Sequence, residues 1–443
     1  MKKTPVDVWL VDPIGRFINN SVSAGLVLFL ATVIALTLAN SPWKEAYHHF
    51  WEHTFSIGFD RFIVEQTLHH WINDGLMAIF FFVIGLELKR EVMTGELSKP
   101  KDAVLPVVAG LSGMFLPAMI YLYFNQGTLT SQGWGIPMAT DIAFALGLIY
   151  LLGDRIPVSL KIFLTAVAIA DDLGAVLVIA IFYTSDLSLL NLGIGGAFLG
   201  VLVTANLLGV RNTVFYGVMG IGGLWLAFLL SGIHATVAGV LAALTIPANV
   251  VLGDREFAQK VRVLVAEFED AETNEVSTVT SGQLQALERI RVYTKAALPP
   301  LQRLEHGMHP LVVFVVMPIF ALANAGITFS GDFITNITSS VSLGIIFGLV
   351  IGKSVGISGV AHLMVALKWA SLPADVAWRQ IYGVSLLAAV GFTMSLFITE
   401  LAFTDSLHIL QAKTSVLVAS LIGGTIGFFL LRKSGDASEI DSL

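Results

Sequence analysis

Two adjacent carboxylates, Asp171 and Asp172, interrupt an otherwise apolar run over about 158–182. A run of that length crosses a bilayer, since about 20 residues at about 1.5 Å each span the hydrocarbon. On insertion scales one acid at the centre of a spanning helix costs about 2.5–3.5 kcal/mol. Two side by side also repel each other when both are ionised. Acids kept at mid-membrane point to something bound there, and their chemistry suits a cation and protons. Asp141, beside Thr140, lies near the centre of a second apolar run, and Lys353 near the centre of a third. One acid and one lysine could be a structural ion pair. Three acids and a lysine near one depth exceed what such a pair needs.

The elements that hold these residues follow from composition. The chain has 443 residues, 55% of them hydrophobic and 13% charged, with mean hydropathy +0.80. That composition defines a polytopic membrane protein, expected to be all-α and a single integral membrane domain over 1–443. Hydropathy predicts about twelve spans, over 18–40, 70–93, 103–123, 132–152, 158–183, 190–208, 213–230, 232–249, 309–328, 341–367, 380–401 and 412–432. The seventh and eighth are short. The first carries no clear small-residue cleavage site and is expected to be retained. With no cysteine, disulfides and thiolate metal sites are excluded, and no resident cofactor is expected.

Of the 25 Lys and Arg residues, all but Lys44, Arg61, Lys413 and Lys353 fall on one side when the amino terminus is placed inside. The positive-inside rule then puts both termini in the cytoplasm. Two connections are long. The outer one, 41–69, alternates Phe55, Ile57 and Phe59 with Ser56, Gly58 and Asp60, a period of two that suggests a small hairpin. It could cover the protein's own surface or pair with a second copy in a homodimer. The cytoplasmic insertion, 250–305, has an acidic part over 267–275 and predicts a helix over 283–295 after a Ser281 cap. No phosphate-binding loop occurs; 348–354 (GLVIGKS) is one residue short and lies inside a span, so ATP coupling is not expected. Nothing points to nucleic acid.

Pro137 precedes Thr140 and Asp141. Proline removes a helix hydrogen bond and clashes with the preceding turn, so this span should kink or unwind there. The eleventh span carries a similar interruption from Gly391 to Ser395. Two interrupted spans in corresponding places of two halves mark a transporter site, where freed carbonyls and half-helix ends meet a dehydrated ion.

The runs 80–91 (FFFVIGLELKRE), 139–147 (ATDIAFALG), 168–174 (AIADDLG), 231–236 (SGIHAT), 303–309 (RLEHGMH), 320–326 (FALANAG), 352–353 (GK) and 391–395 (GFTMS) resemble the NhaA family of sodium/proton antiporters. The match extends over nearly all spans. The resemblance implies inverted-topology repeats, of which that family is itself a standing example. It further implies that Asp172, with Asp171 and the Thr140–Asp141 segment, ligates sodium or lithium. Lys353 would pair with an aspartate in the cation-free state, Asp171 being preferred. Asp141 and Lys353 would balance the partial charges where the broken helices cross. Protons and the cation would compete for one alternating-access site in a bacterial cytoplasmic membrane, electrogenically. The cluster Glu87, Arg90 and Glu91, with Glu305, His306 and His309, would sense pH; by spacing, Glu87 and Glu91 are one helical turn apart. An interfacial salt-bridge network is the alternative for that cluster. Gln302 stands where some relatives place a lysine, and the long insertion departs from short-loop members.

Other polar residues carry blander expectations. His234 reads as a hydrogen-bonded packing residue. His48, His49, His53, His69 and His70 are expected to be solvated rather than a metal set, and Asp74 and Glu400 interfacial. An intramembrane aspartyl hydrolase would want Tyr-Asp and Gly-x-Gly-Asp on separate spans, and neither occurs. Adjacent acids on one helix also point about 100° apart. A channel would more naturally use rings of ligands from several subunits. The remaining alternative is a proton-coupled carrier of another ion or solute on the same scaffold.

Overall fold

The structure, a computed structural model, describes residues 21–59, 62–184, 187–271, 278–329 and 333–440. Lys2, Lys3, Arg16, Asp60, Arg61 and the end of the acidic stretch at Glu275 lie outside these residues. Among the described residues, nine helices are long and apolar enough to cross a membrane, and one bent pair makes a tenth. Two further apolar helices are shorter. They lie where the seventh and eighth spans are expected.

In chain order the elements are α1 (Ser21–Ala39), the short amphipathic α2 (Lys44–Glu52), strands β1 (Thr54–Phe59) and β2 (Phe62–Thr67), α3 (Leu68–Thr94) and α4 (Pro100–Asn125). A 3-10 segment, Leu129–Met138, then breaks before α5 (Ile142–Leu151). Next come α6 (Val158–Phe182), α7 (Leu189–Leu207), and the short α8 (Thr213–Leu229) and α9 (Ala235–Thr245). The insertion is a helical pair, α10 (Asp254–Asp270) and α11 (Ser281–Ala297). Then follow α12 (Pro300–Asn324), α13 (Ser340–Ala366), the bent pair α14 (Trp378–Leu387) and α15 (Phe392–Ala402), and α16 (Ser406–Ile440).

The expected hairpin is present: β1 and β2 pair antiparallel, with Ile57 opposite Val64. In the insertion the cap differs from expectation. Thr280, not Ser281, caps α11, accepting from the Gln283 amide while the Gln283 side chain returns to the Thr280 amide. That reciprocal arrangement needs Gln or Glu three residues on, and only Thr280 has it. Arg289 pairs with Glu267 across the two helices at 2.9 Å.

Outward faces are apolar where the chain meets lipid. Leu26, Phe29, Leu30 and Ile34 of α1 are all about half exposed, which water would not tolerate over so wide a patch. The largest apolar cluster joins α1, α3, α12, α13 and α15 and includes Phe80, Phe81, Phe320 and Phe397. It also takes Ala175, Val176 and Ile179 of α6, one to two turns beyond the aspartate pair. The scaffold therefore surrounds the acids with packed hydrocarbon.

Candidate functional site

Both broken spans fail at the middle. Leu129–Met138 ends after Pro137, residues Ala139 to Asp141 are extended, and α5 starts at Ile142. In the other half α14 ends at Leu387 and α15 starts at Phe392, with a bend of 43°. The two unwound stretches cross in contact. The Asp141 amide donates to the Val390 carbonyl at 2.6 Å, and the Ser395 hydroxyl donates to the Ile136 carbonyl at 2.8 Å. A Cβ on Gly391 would stand 2.9 Å from the Ala139 carbonyl oxygen, so the crossing needs glycine there.

The crossing leaves two helix starts and two helix ends facing each other, each with partial charge. Asp141 serves both starts. Its Oδ1 accepts from the Phe144 amide at 3.0 Å as the cap of α5. Its Oδ2 accepts from the Thr393 amide at 3.1 Å and hydroxyl at 2.6 Å, at the start of α15. Its carboxylate is thus fully engaged by backbone and hydroxyl donors.

Lys353 arrives from α13 on a π-helical turn, Gly348–Lys353. Such turns re-aim side chains and recur at functional sites. Its ammonium hydrogen-bonds Asp171 Oδ2 and the Thr140 hydroxyl at 2.6 Å. That hydroxyl in turn has Asp171 Oδ2 at 2.8 Å and the Ala388 carbonyl at 2.9 Å as acceptors. Asp171, Asp172, Thr140 and Lys353 are each 0% exposed. The sequence places these residues up to 213 positions apart; the fold brings the four together.

Close helix packing makes that approach possible. A Cβ on Gly352 would lie 2.8 Å from Pro117 Cα of α4, and backbone cannot yield cheaply. Gly352→Ala is therefore expected to cost about 1–3 kcal/mol of stability and to move Lys353 off Asp171. Thermal unfolding of the purified variant in detergent checks it; an unchanged midpoint would show that α13 and α4 tolerate separation.

Three carboxylate oxygens in this cluster, Asp171 Oδ1 and both oxygens of Asp172, are buried without a hydrogen-bond partner in the protein. Buried charge is kept only when it is paired or coordinates an ion. Hard oxygens of this kind, with hydroxyl and carbonyl oxygens nearby, fit a hard cation. Among the described residues no three His, Cys, Asp or Glu converge as a metal-holding group.

The second cluster sits at the opposite end of α3 from β2. Arg90 bridges Glu91 and Glu305, each at 2.8 Å, and Glu87 lies within the field of Glu305, Arg90 and Glu91. His306 lines a cleft of about 600 Å³ with Arg90, Leu298, Gln302, Arg303 and Glu305. His309 is exposed and faces Glu305 and His306.

Sequence reasoning did not single out Thr393, although it lies in the interrupted run; nothing in the run shows that its hydroxyl meets Asp141. It also placed Glu400 at the interface. The structure pairs it there with Lys413 at 2.6 Å, the Glu400 side chain 16% exposed near the end of α15. His234 does hydrogen-bond, through Nε2 to the Tyr183 carbonyl at 2.6 Å.

Spanning helices, two of them broken at the depth of a buried acid–lysine cluster, define the class of secondary transporters. The Na+/H+ antiporter 1 family model matches residues 15–431, and the chain belongs to that family. It is 48% identical over 429 residues to the Na(+)/H(+) antiporter NhaA of Oleidesulfovibrio alaskensis, covering 97% of this chain and 95% of that one. To the Na(+)/H(+) antiporter NhaA of Acidithiobacillus ferrooxidans it is 49% identical over 434 residues, covering 96% and 99%. The protein is a transporter and not an enzyme.

Proposed function

We propose that this chain exports sodium, and also lithium, in exchange for protons across a bacterial cytoplasmic membrane, with both termini in the cytoplasm. The observation that carries the reading is the set of three unpartnered carboxylate oxygens on Asp171 and Asp172 beside a lysine that masks one of the acids. In the cation-free state Lys353 holds Asp171 and a proton neutralises Asp172. A sodium ion binds when Asp172 loses that proton and Lys353, released from Asp171, gives up one of its own, so that two protons leave for one ion. Protons and cation then compete for the same oxygens, and exposing the site to each side in turn couples their fluxes. Releasing more protons than the single charge of the ion makes the cycle electrogenic.

The test uses inside-out vesicles holding a proton gradient. Sodium or lithium should dissipate the gradient, and Asp171→Asn or Asp172→Asn should remove that response. Full exchange by either variant would sink the proposal.

We read the Glu87, Arg90, Glu91, Glu305, His306 and His309 cluster as the pH sensor. Arg90, Glu305 and His306 line one cleft, and coupled carboxylates and histidines titrate together. Glu305→Gln removes one negative charge facing Glu87 and frees Arg90, both of which favour an ionised Glu87. The onset of exchange should move to lower pH by roughly one unit. A pH profile superimposable on wild type would leave the cluster a structural salt-bridge network. The outer hairpin is the surface by which a second copy would pair.

A further inference from the structure

A second buried lysine–carboxylate pair lies towards the other side of the membrane. Glu400 of α15 and Lys413 of α16 meet at 2.6 Å, with side chains 16% and 14% exposed. His69 of α3 faces both charges. His69 also hydrogen-bonds Asn324 at 3.0 Å, and the Asn324 amide donates to Asn73 at 2.9 Å. Four helices therefore supply a polar cluster at the outer end of the bundle.

Its position relative to the aspartates follows from helix periodicity. Thr393, Phe397 and Glu400 are at i, i+4 and i+7 of α15 and share one face. Thr393 touches Asp141 at the crossing. Phe397 lies between, packed on Phe81 of α3 at 5.6 Å and on Phe320 of α12 at 6.3 Å between ring centroids. On α12 likewise, Phe320 sits one turn inside Asn324. One aromatic layer thus separates the central acids from the outer cluster.

We propose that Glu400 is an outer cation station, masked by Lys413 as Asp171 is masked by Lys353, which takes the monovalent cation once it passes Phe397. This rests on the sodium/proton reading above. The pair is not sealed, so its lysine can swing into water when an ion displaces it. A purely structural pair would tie α15 to α16 without affecting either face of transport selectively.

Sodium KM is measured at each face, in right-side-out and inside-out vesicles. Glu400→Gln should raise KM at the outer face about tenfold, equivalent to about 1.4 kcal/mol, and leave the inner KM unchanged. Glu400→Asp should restore much of it. If Glu400→Gln does not accumulate, Glu400→Gln with Lys413→Met leaves no unpaired buried charge and should show the same one-sided rise. Unchanged KM at both faces, or an equal change at both, would overturn the proposal. Absence of exchange by the unaltered protein in both orientations would instead overturn the parent reading, and this one with it.

Discussion

Asp172→Asn is expected to reduce sodium-driven exchange to below about one hundredth of wild type, the effect of losing about 3 kcal/mol of ion binding. The substitution keeps the shape and removes both the charge and the titrating proton. Neither Asp172 oxygen is hydrogen-bonded in the protein, so the fold loses no contact and sheds a buried acid that favours neither packing nor pairing. The thermal midpoint should hold or rise while transport is lost. Those two results together separate a functional acid from a structural one. Loss of stability in proportion to loss of transport would contradict the assignment.

Lys353→Met should have the opposite signature. Asp171 then keeps only the Thr140 hydroxyl within a fully buried site. Removing one partner of a buried ion pair costs about 3–5 kcal/mol, because the other charge is left uncompensated. Adding Asp171→Asn removes that charge and should recover most of the loss. Unfolding of the two single variants and the double variant closes the cycle, and strictly additive losses would show that the two residues do not act as a pair.

Much of the site was legible because membranes make charge conspicuous. Asp141, Asp171, Asp172 and Lys353 stand out wherever the surrounding residues are apolar, and Pro137 marks one break by its missing amide. The partnership of Lys353 with Asp171, 182 positions away, has no periodic signature, and came from family resemblance. The role of Thr393 was hidden for a similar reason, since its partner lies 252 positions away on the other broken span. Glu400 reads as interfacial because α15 ends two residues later, but its pairing with Lys413 was not legible. Its burial depends on α16 folding back to bring Lys413 alongside. The hairpin was visible in its alternation, whereas the π-helical turn that carries Lys353 has no recognisable residue pattern.

If protons and sodium exclude one another at Asp171 and Asp172, proton release on sodium binding measures that competition directly. Purified protein in weakly buffered detergent solution should release protons when sodium is added, and Asp172→Asn should release none. Sodium binding to the unaltered protein with no proton release would contradict the competition at the centre of this account.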